Sequence, residues 1–111
     1  MKYSVQKEDD VVVFAPEGEL DVSNIPELKK VFNEIFQEGH QKVVIDLDRV
    51  TYMDSSALGV LVNSLKELRK RNGTLKIANL TGNVERIFKL TRLIKFFETY
   101  PTTEEAILSL N

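Results

Sequence analysis

Hydrophobic and polar residues at the start of the chain alternate with the period of a β-strand. KYSVQK fits a half-buried strand, and VVVFA follows it after a plausible turn at Asp9-Asp10. The two segments predict an antiparallel hairpin. Pro16 and Gly18 interrupt the second strand, which favours an edge position or a bulge there.

Further along, helical spacing of apolar residues predicts four helices. Asn24 and Glu27 have the spacing of a capping box before the first, and Thr102 and Glu105 repeat it before the last. The second helix is expected to run from the DSS segment to about Arg71. The residues that fall on one side of the first and third helices are Leu28, Val31, Phe32, Ile35, Phe36, Val84, Ile87, Phe88 and Thr91. The fourth helix is expected to bury Ala106, Ile107 and Leu110.

Three short apolar runs between these helices, KVVIDL, LKIANL and KFFETY, predict three more strands. The resulting order, β-β-α-β-α-β-α-β-α, predicts an α/β fold with a mixed, mostly parallel sheet of about five strands and about four helices. At 111 residues the chain is expected to form one domain over residues 1–111.

Composition narrows the possible functions. The net charge is -2 with scattered basic residues, so neither a nucleic-acid nor a membrane partner is indicated. The absence of cysteine excludes a disulfide scaffold and a thiolate metal site. No metal-ligand cluster or phosphate-cradling loop is present, so we expect no cofactor. Without a signal peptide or an apolar run of about 18 residues, we expect a cytoplasmic location.

The segment TYMDSSALGV joins a strand pattern to a helix pattern, where ligands and chemistry gather in parallel sheets. Aspartate is a favoured N-cap residue, so one interpretation is that Asp54 caps the helix and that capping alone explains the motif. On the helical wheel an apolar stripe of Leu58, Leu61, Val62, Leu65 and Leu68 is predicted to be buried. Ser56 lies opposite that stripe, on the line of Val60, Asn63 and Glu67, and Ser55 lies nearer its margin. The wheel therefore predicts that Ser56 and Val60 are exposed.

A catalytic serine is not indicated. An activated serine needs a base within hydrogen-bond reach, and the one histidine, His40, follows a predicted helix end. The chain also lacks a G-x-S-x-G elbow. We therefore expect a protein that is not an enzyme.

Two segments, EGELDVSNIPELKKVF and VVIDLDRVTYMDSSALGVLVNSLKEL, resemble the STAS-domain family, specifically the bacterial anti-sigma factor antagonists. Weaker agreement covers nearly all the rest of the chain. Ala57 and Arg92 depart from the family pattern, because both stand where glycine is common.

The resemblance implies a function. In that family the second serine of D-S-S is phosphorylated by a kinase that is itself the anti-sigma factor, which points to Ser56. The unphosphorylated antagonist binds the anti-sigma factor and frees the sigma factor, and a serine phosphatase restores the unphosphorylated form. The residues expected to bind the partner are Asp21, Ser23, Asn24, Asp54, Ser55, Ser56, Ala57 and Val60.

Other functions stay open at this point. A receiver domain shares the alternating elements, but Asp9-Asp10 leads into a strand rather than a helix. A STAS module that binds a nucleotide, or one that acts as a scaffold independently of phosphate, is the remaining alternative. Turn and capping chemistry explains Asp21, Ser23 and Asn24 equally well.

Overall fold

Strands and helices alternate along the computed structural model, which describes residues 1–111. The strands are β1 (Tyr3–Glu8), β2 (Val11–Pro16), β3 (Gly18–Leu20), β4 (Lys42–Asp46), β5 (Val50–Met53), β6 (Thr74–Ala78) and β7 (Thr99–Tyr100). The helices are α1 (Ile25–Gln37), α2 (Ser55–Lys70), α3 (Gly82–Leu90) and α4 (Thr103–Leu108). Two short 3-10 helices cover Val22–Asn24 and Leu93–Phe96.

The main sheet has five strands in the order β1-β2-β4-β6-β7. The β1–β2 hairpin is antiparallel, and each of the other neighbouring pairs is parallel. The predicted fold class, a mixed and mostly parallel sheet with four helices, is therefore confirmed.

Helices cover the two faces of this sheet unequally. Side chains of α1, α2 and α3 form the larger core on one face, centred on buried residues such as Phe14, Phe32, Leu58 and Phe88. The other face is covered by α4, which buries Ala106 and Ile107 in a smaller cluster with β2, β4 and β6. None of the helices is both long enough and apolar enough to cross a membrane.

The sequence pattern did not predict a second, two-stranded parallel sheet formed by β3 and β5. The chain leaves β2 after Pro16 and turns at Gly18, whose φ of 84° lies in the left-handed region that glycine adopts without strain. Leu20 and Met53 pair at the end of this sheet, and both are fully buried. The small sheet therefore brings the residues that follow β3 next to those that follow β5.

The predictions for the N-terminal hairpin were partly wrong. The interruption at Pro16 and Gly18 does not mark an edge strand, because β2 lies between β1 and β4. The alternative prediction of a bulge agrees with a shift in strand register between Gly18 and Glu19. Instead β1 is the edge, and all of its residues are exposed rather than half-buried. The ring of Tyr3 still packs edge-to-face against Phe14, with 5.8 Å between the centroids.

The chain after α3 also differs from the prediction. Arg92 has a φ of 62°, a left-handed conformation that ends α3 and that glycine adopts more readily. Thr91 is exposed, and its hydroxyl donates a hydrogen bond to the Ile87 carbonyl at 2.8 Å. The expected strand KFFETY begins with the last two residues of the 3-10 helix, Lys95 and Phe96, and only Thr99–Tyr100 forms a strand that pairs with β6.

Candidate functional site

Asp54 organises the start of α2. Its backbone is extended, and its Oδ1 accepts a hydrogen bond from the Ala57 N–H at 3.0 Å, so it is the N-cap. The same oxygen accepts a second bond from the Ser56 hydroxyl at 2.6 Å. Its Oδ2 accepts from the N–H of Val22 at 3.0 Å. The predicted capping role of Asp54 is thus confirmed, and the carboxylate also holds Ser56 and the loop after β3.

The small sheet explains why a residue before α1 reaches the start of α2. The N–H of Asp54 donates to the carbonyl of Leu20 at 3.0 Å, which continues the pairing of β3 with β5. Leu20 and Met53 anchor the two strands in the core, so the polar residues that follow them emerge side by side. The hydrogen bond from the Val22 amide to the Asp54 carboxylate therefore joins the two loops.

A compact turn forms the loop after β3. Asp21 Oδ1 accepts hydrogen bonds from the N–H of Ser23 at 2.9 Å and from its hydroxyl, and Asn24 Oδ1 accepts from the Asp21 N–H at 3.1 Å. This is a capping box around the 3-10 helix. The expected box between Asn24 and Glu27 is wrong, because the Asn24 side chain is already bonded to Asp21 and makes no cap bond to α1.

Both serines of the motif are exposed at the surface. The prediction that Ser56 faces solvent is confirmed, and Ser55 is exposed as well. The two differ in their bonding, since the Ser56 hydroxyl donates to Asp54 and Ser55 lies one position nearer the helix start. Exposure alone therefore does not distinguish them, but the hydrogen bond fixes the Ser56 hydroxyl in one direction.

Negative charge is stabilised at this end of the helix. The Ser56 hydroxyl bond, followed by the Ala57 amide bond, lowers the pKa of the Asp54 carboxyl below its ordinary value. Unpaired amides and the positive end of the helix dipole favour an anion at the same place. Asp54 is therefore a carboxylate at neutral pH, directly beside the serine hydroxyl.

Two residues of the predicted binding surface are buried. Ala57 is fully buried, and Val60 is 7 % exposed, so the expectation that Val60 is exposed is wrong. The error comes from α1, which packs against this side of α2. Val60 instead lines a groove of about 370 Å³ between the two helices, together with Phe32 and Phe36 of α1 and Asn63 of α2.

His40 lies at the other end of α2. The Gln41 side chain donates to the carbonyl of Arg71, just after the helix, at 2.6 Å. Ser56 is at the opposite end of this 16-residue helix, roughly 24 Å away at 1.5 Å per residue. His40 bonds to Glu38 at 3.1 Å. The histidine therefore cannot serve Ser56 as a general base.

Sequence reasoning missed Val22. Its amide holds the Asp54 carboxylate, and its side chain is 72 % exposed beside the motif. An isolated valine among polar turn residues gives no periodic signal, so only the pairing of β3 with β5 reveals its place at the site.

Comparisons with known proteins agree with this architecture. The sequence profile of the STAS domain matches residues 2–106. A putative anti-sigma factor antagonist of Thermotoga maritima is 37% identical over 100 residues, which cover 89% of this chain and 88% of that protein. An anti-sigma-B factor antagonist of Staphylococcus aureus is 36% identical over 87 residues, covering 78% and 81%.

Solved structures give the same result. The crystal structure of the Thermotoga maritima protein superposes with a TM-score of 0.89 and 33% identity, covering 96% of this chain and 92% of that one. An anti-sigma factor antagonist from Mycobacterium paratuberculosis gives 0.88 with 28% identity, covering 97% and 92%.

Proposed function

Because this chain belongs to the STAS-domain family, we propose that it is an anti-sigma factor antagonist controlled by phosphorylation of Ser56. In this proposal the unphosphorylated protein binds an anti-sigma factor that is also a serine kinase, and a sigma factor is released. Transfer of phosphate to Ser56 ends the binding, and a serine phosphatase reverses it. The role is regulatory rather than enzymatic, and it places the protein in the cytoplasm.

The observation that carries the proposal is the position of the Ser56 hydroxyl. It is exposed in the first turn of α2 and held by Asp54 at 2.6 Å, so a kinase can reach it in a defined orientation. The hydroxyl makes no contact that the fold depends on, since Asp54 still caps the helix through the Ala57 amide. Modification at Ser56 is therefore compatible with an intact domain.

Charge supplies the switch. A phosphoserine carries about -1.5 to -2 charges near neutral pH, and the helix dipole offsets part of this by up to about 1 kcal/mol. The Ser56 oxygen would no longer donate a hydrogen to Asp54, and the two anionic groups would lie side by side. Docking then requires the partner to desolvate both. An acidic group of the partner about 5 Å away would add about 3 kcal/mol of repulsion per unit charge pair at an effective dielectric near 20.

We assign the partner surface to the exposed residues around this hydroxyl. Asp21 and Ser23 belong to the turn that Asp54 holds in place through the amide of Val22. Ser55 and Val22 complete the exposed rim. Ala57 contributes as a buried support of the first turn of α2 rather than by contact.

Two further residues of the predicted surface act less directly. Asn24 maintains the turn through its bond to the Asp21 amide. Val60 contributes only through the groove between α1 and α2.

Mapping of the phosphorylated residue tests the proposal. A pull-down with the unmodified chain identifies the bound kinase, which is then incubated with the chain and ATP. We expect one acid-stable phosphate, located on Ser56 by mass spectrometry. Ser56→Ala is expected to bind the kinase and remain unmodified.

The matched control is Ser55→Ala, which removes an equally exposed hydroxyl one residue away. It should be phosphorylated like the native chain. Phosphate found on Ser55 alone would contradict the assignment. If binding persists unchanged after Ser56 is phosphorylated, the chain is a phosphate-independent scaffold.

A further inference from the structure

The free edge of β1 is the longest unpaired strand edge in the protein. β1 has six residues, all exposed, whereas β7 at the other edge has two. Two apolar side chains on β1, Tyr3 and Val5, are 44 % and 46 % exposed. Such an edge presents backbone groups that can pair with another strand.

The β1–β2 register shows which backbone groups of β1 are free. The N–H of Glu17 donates to the Lys2 carbonyl at 3.0 Å, which makes Lys2 and Glu17 a hydrogen-bonded pair. Hydrogen-bonded and non-hydrogen-bonded pairs alternate in an antiparallel ladder. Since Tyr3, Val5 and Lys7 occupy the alternate positions, their N–H and C=O groups point away from β2.

We propose that this edge binds the same edge of a second copy, with the two β1 strands antiparallel and a two-fold axis at Val5. In this register Val5 faces Val5 of the partner copy, and Tyr3 faces Lys7. All the outward backbone groups of Tyr3, Val5 and Lys7 are then paired with one another across the axis.

Charge complementarity selects this occupant and this register. Lys2 and Glu8 lie at the two ends of the strand, and the symmetric pairing brings each opposite the other in the partner copy. On the intervening positions Ser4 faces Gln6. Shifting the register by two residues in either direction separates Lys2 from Glu8 and leaves outward backbone groups unpaired.

Charged residues on an edge ordinarily discourage pairing with other strands. Here the charges of Lys2, Lys7 and Glu8 disfavour pairing with most other strands. When the incoming strand is a second β1, Lys2 lies opposite Glu8 and Lys7 lies opposite Tyr3. The contact involves one strand from each copy, so we expect a weak, concentration-dependent dimer rather than an obligate one. It extends the main sheet across two molecules and uses no residue of the Ser56 site.

Cysteine cross-linking tests the register, because the native chain has no cysteine. In the proposed dimer the Val5 Cα atoms are about 5.5 Å apart, within the range a disulfide spans. Lys7 is also exposed on the same face, but it faces Tyr3, so the two Lys7 Cα atoms are about 14 Å apart. Under air oxidation Val5→Cys should form covalent dimers about tenfold faster than Lys7→Cys. Equal rates would overturn the proposal.

A second test uses sedimentation equilibrium, with the native chain and with variants that carry no introduced cysteine. Val5→Pro removes an N–H that points away from β2, so the hairpin is retained while dimerisation is lost. Glu8→Lys and Lys2→Glu should each weaken the dimer, and the double variant should restore it. A monomer at every concentration, or a dimer unaffected by these changes, would refute the edge contact. Thermal melting of each variant separates lost dimerisation from lost folding.

Discussion

A charged side chain joins several elements at two places in this protein, but Lys76 is buried whereas Asp54 is half-buried beside an exposed serine hydroxyl. The Asp54 cluster consists of Asp54, the Ser56 hydroxyl and the amides of Val22 and Ala57. The Lys76 cluster lies under α4 and consists of Lys76, Glu98, Tyr100 and Ser109.

The Lys76 cluster uses every donor of its charged group. Lys76 is 9 % exposed, and its ammonium donates to Glu98 at 2.7 Å, Tyr100 at 3.1 Å and Ser109 at 3.0 Å. Burial by itself would lower the pKa of Lys76, but the hydrogen bonds to Glu98 and Tyr100 outweigh it and raise the pKa. The cluster thereby connects β6, β7 and the residue after α4 with no donor left for a ligand.

In the Asp54 cluster the hydroxyl of Ser56 is accessible to a partner protein. Backbone amides occupy the carboxylate from the protein side, while the Ser56 hydroxyl is exposed. Replacing the hydrogen of that hydroxyl by phosphate disturbs one bond and leaves the cap in place. The ammonium of Lys76 is buried and all its donors are used, so we interpret this cluster as a stabilising element. The exposed hydroxyl of Ser56 makes the Asp54 cluster suited to regulation.

The largest expected effect is a loss of binding without a loss of stability after a substitution in the Asp54 cluster. Ser56→Asp should lower affinity for the anti-sigma factor by more than about a hundredfold, since about 3 kcal/mol of repulsion enters the interface. The melting temperature should hardly change, because an acid in the first turn is favoured by the helix dipole. Calorimetric titration and thermal melting measure the two quantities.

Ser55→Asp is the matched control for that experiment. It places the same charge one residue earlier, on a side chain that does not bond to Asp54. We expect a smaller loss of affinity. An equal loss would show that any negative charge at the start of α2 blocks docking, and it would remove the special position of Ser56.

A substitution in the Lys76 cluster should lower stability and leave binding nearly unchanged. Lys76→Met keeps an apolar chain of similar length but removes the hydrogen-bonded charge, so unfolding should become easier by about 2 kcal/mol. Affinity for the anti-sigma factor should stay within twofold or so, about 0.4 kcal/mol. Urea denaturation measures the first effect. A stable variant with altered binding would reverse the distinction between the two clusters.

Asp54 and Lys76 should make stability depend on pH at opposite ends of the pH range. The pKa of Asp54 is lowered, so its contribution is present above the ordinary carboxyl value of 3.8 and is lost as the pH falls through the folded value. The pKa of Lys76 is raised, so its contribution is present below 10.5 and is lost as the pH rises through the folded value. Urea denaturation at a series of pH values measures both limbs.

Single substitutions show which residue causes each limb of the dependence of stability on pH. Asp54→Asn keeps a good N-cap residue, so it should change stability near neutral pH by only about 1 kcal/mol or less and flatten the acid limb. Lys76→Met should flatten the alkaline limb. The pKa values of Glu98 and Asp10 are also lowered, chiefly by their hydrogen bonds to Lys76 and Lys42, so Glu98→Gln and Asp10→Asn are needed to isolate the acid contribution of Asp54. Unchanged limbs in both variants would contradict these assignments.

Most of the main sheet could be predicted from the sequence, because the spacing of apolar residues and the identity of turn residues determine the structure of each short segment. The run KVVIDL predicted a strand covered on both faces, and Val43, Val44 and Ile45 are fully buried. The small β3–β5 sheet could not be predicted in this way. Its strands are three and four residues long, and their pairing depends on contacts between distant segments.

The candidate site was predictable in its centre and not at its margins. The wheel placed Ser56 correctly, since the Ser56 side of the first turn of α2 is exposed to solvent. The same wheel failed for Val60 because α1 covers that side of the helix, which is a tertiary contact with no local signal. Asn24 was misassigned for a related reason, since Asp21 competes with α1 for its side chain.

The smallest expected effect compares single hydroxyl groups. Ser109→Ala removes an oxygen that accepts a bond from Lys76 and donates to the Ala106 carbonyl at 2.6 Å, so it should cost about 1 kcal/mol. Ser56→Ala removes a hydroxyl whose loss leaves Asp54 bonded to two amides and open to water, so it should cost less than about 0.5 kcal/mol. Urea denaturation of the two variants at one pH gives the difference directly. Equal costs would mean that the Ser56 hydroxyl is as important to the fold as Ser109, and phosphorylation could then no longer act on binding alone.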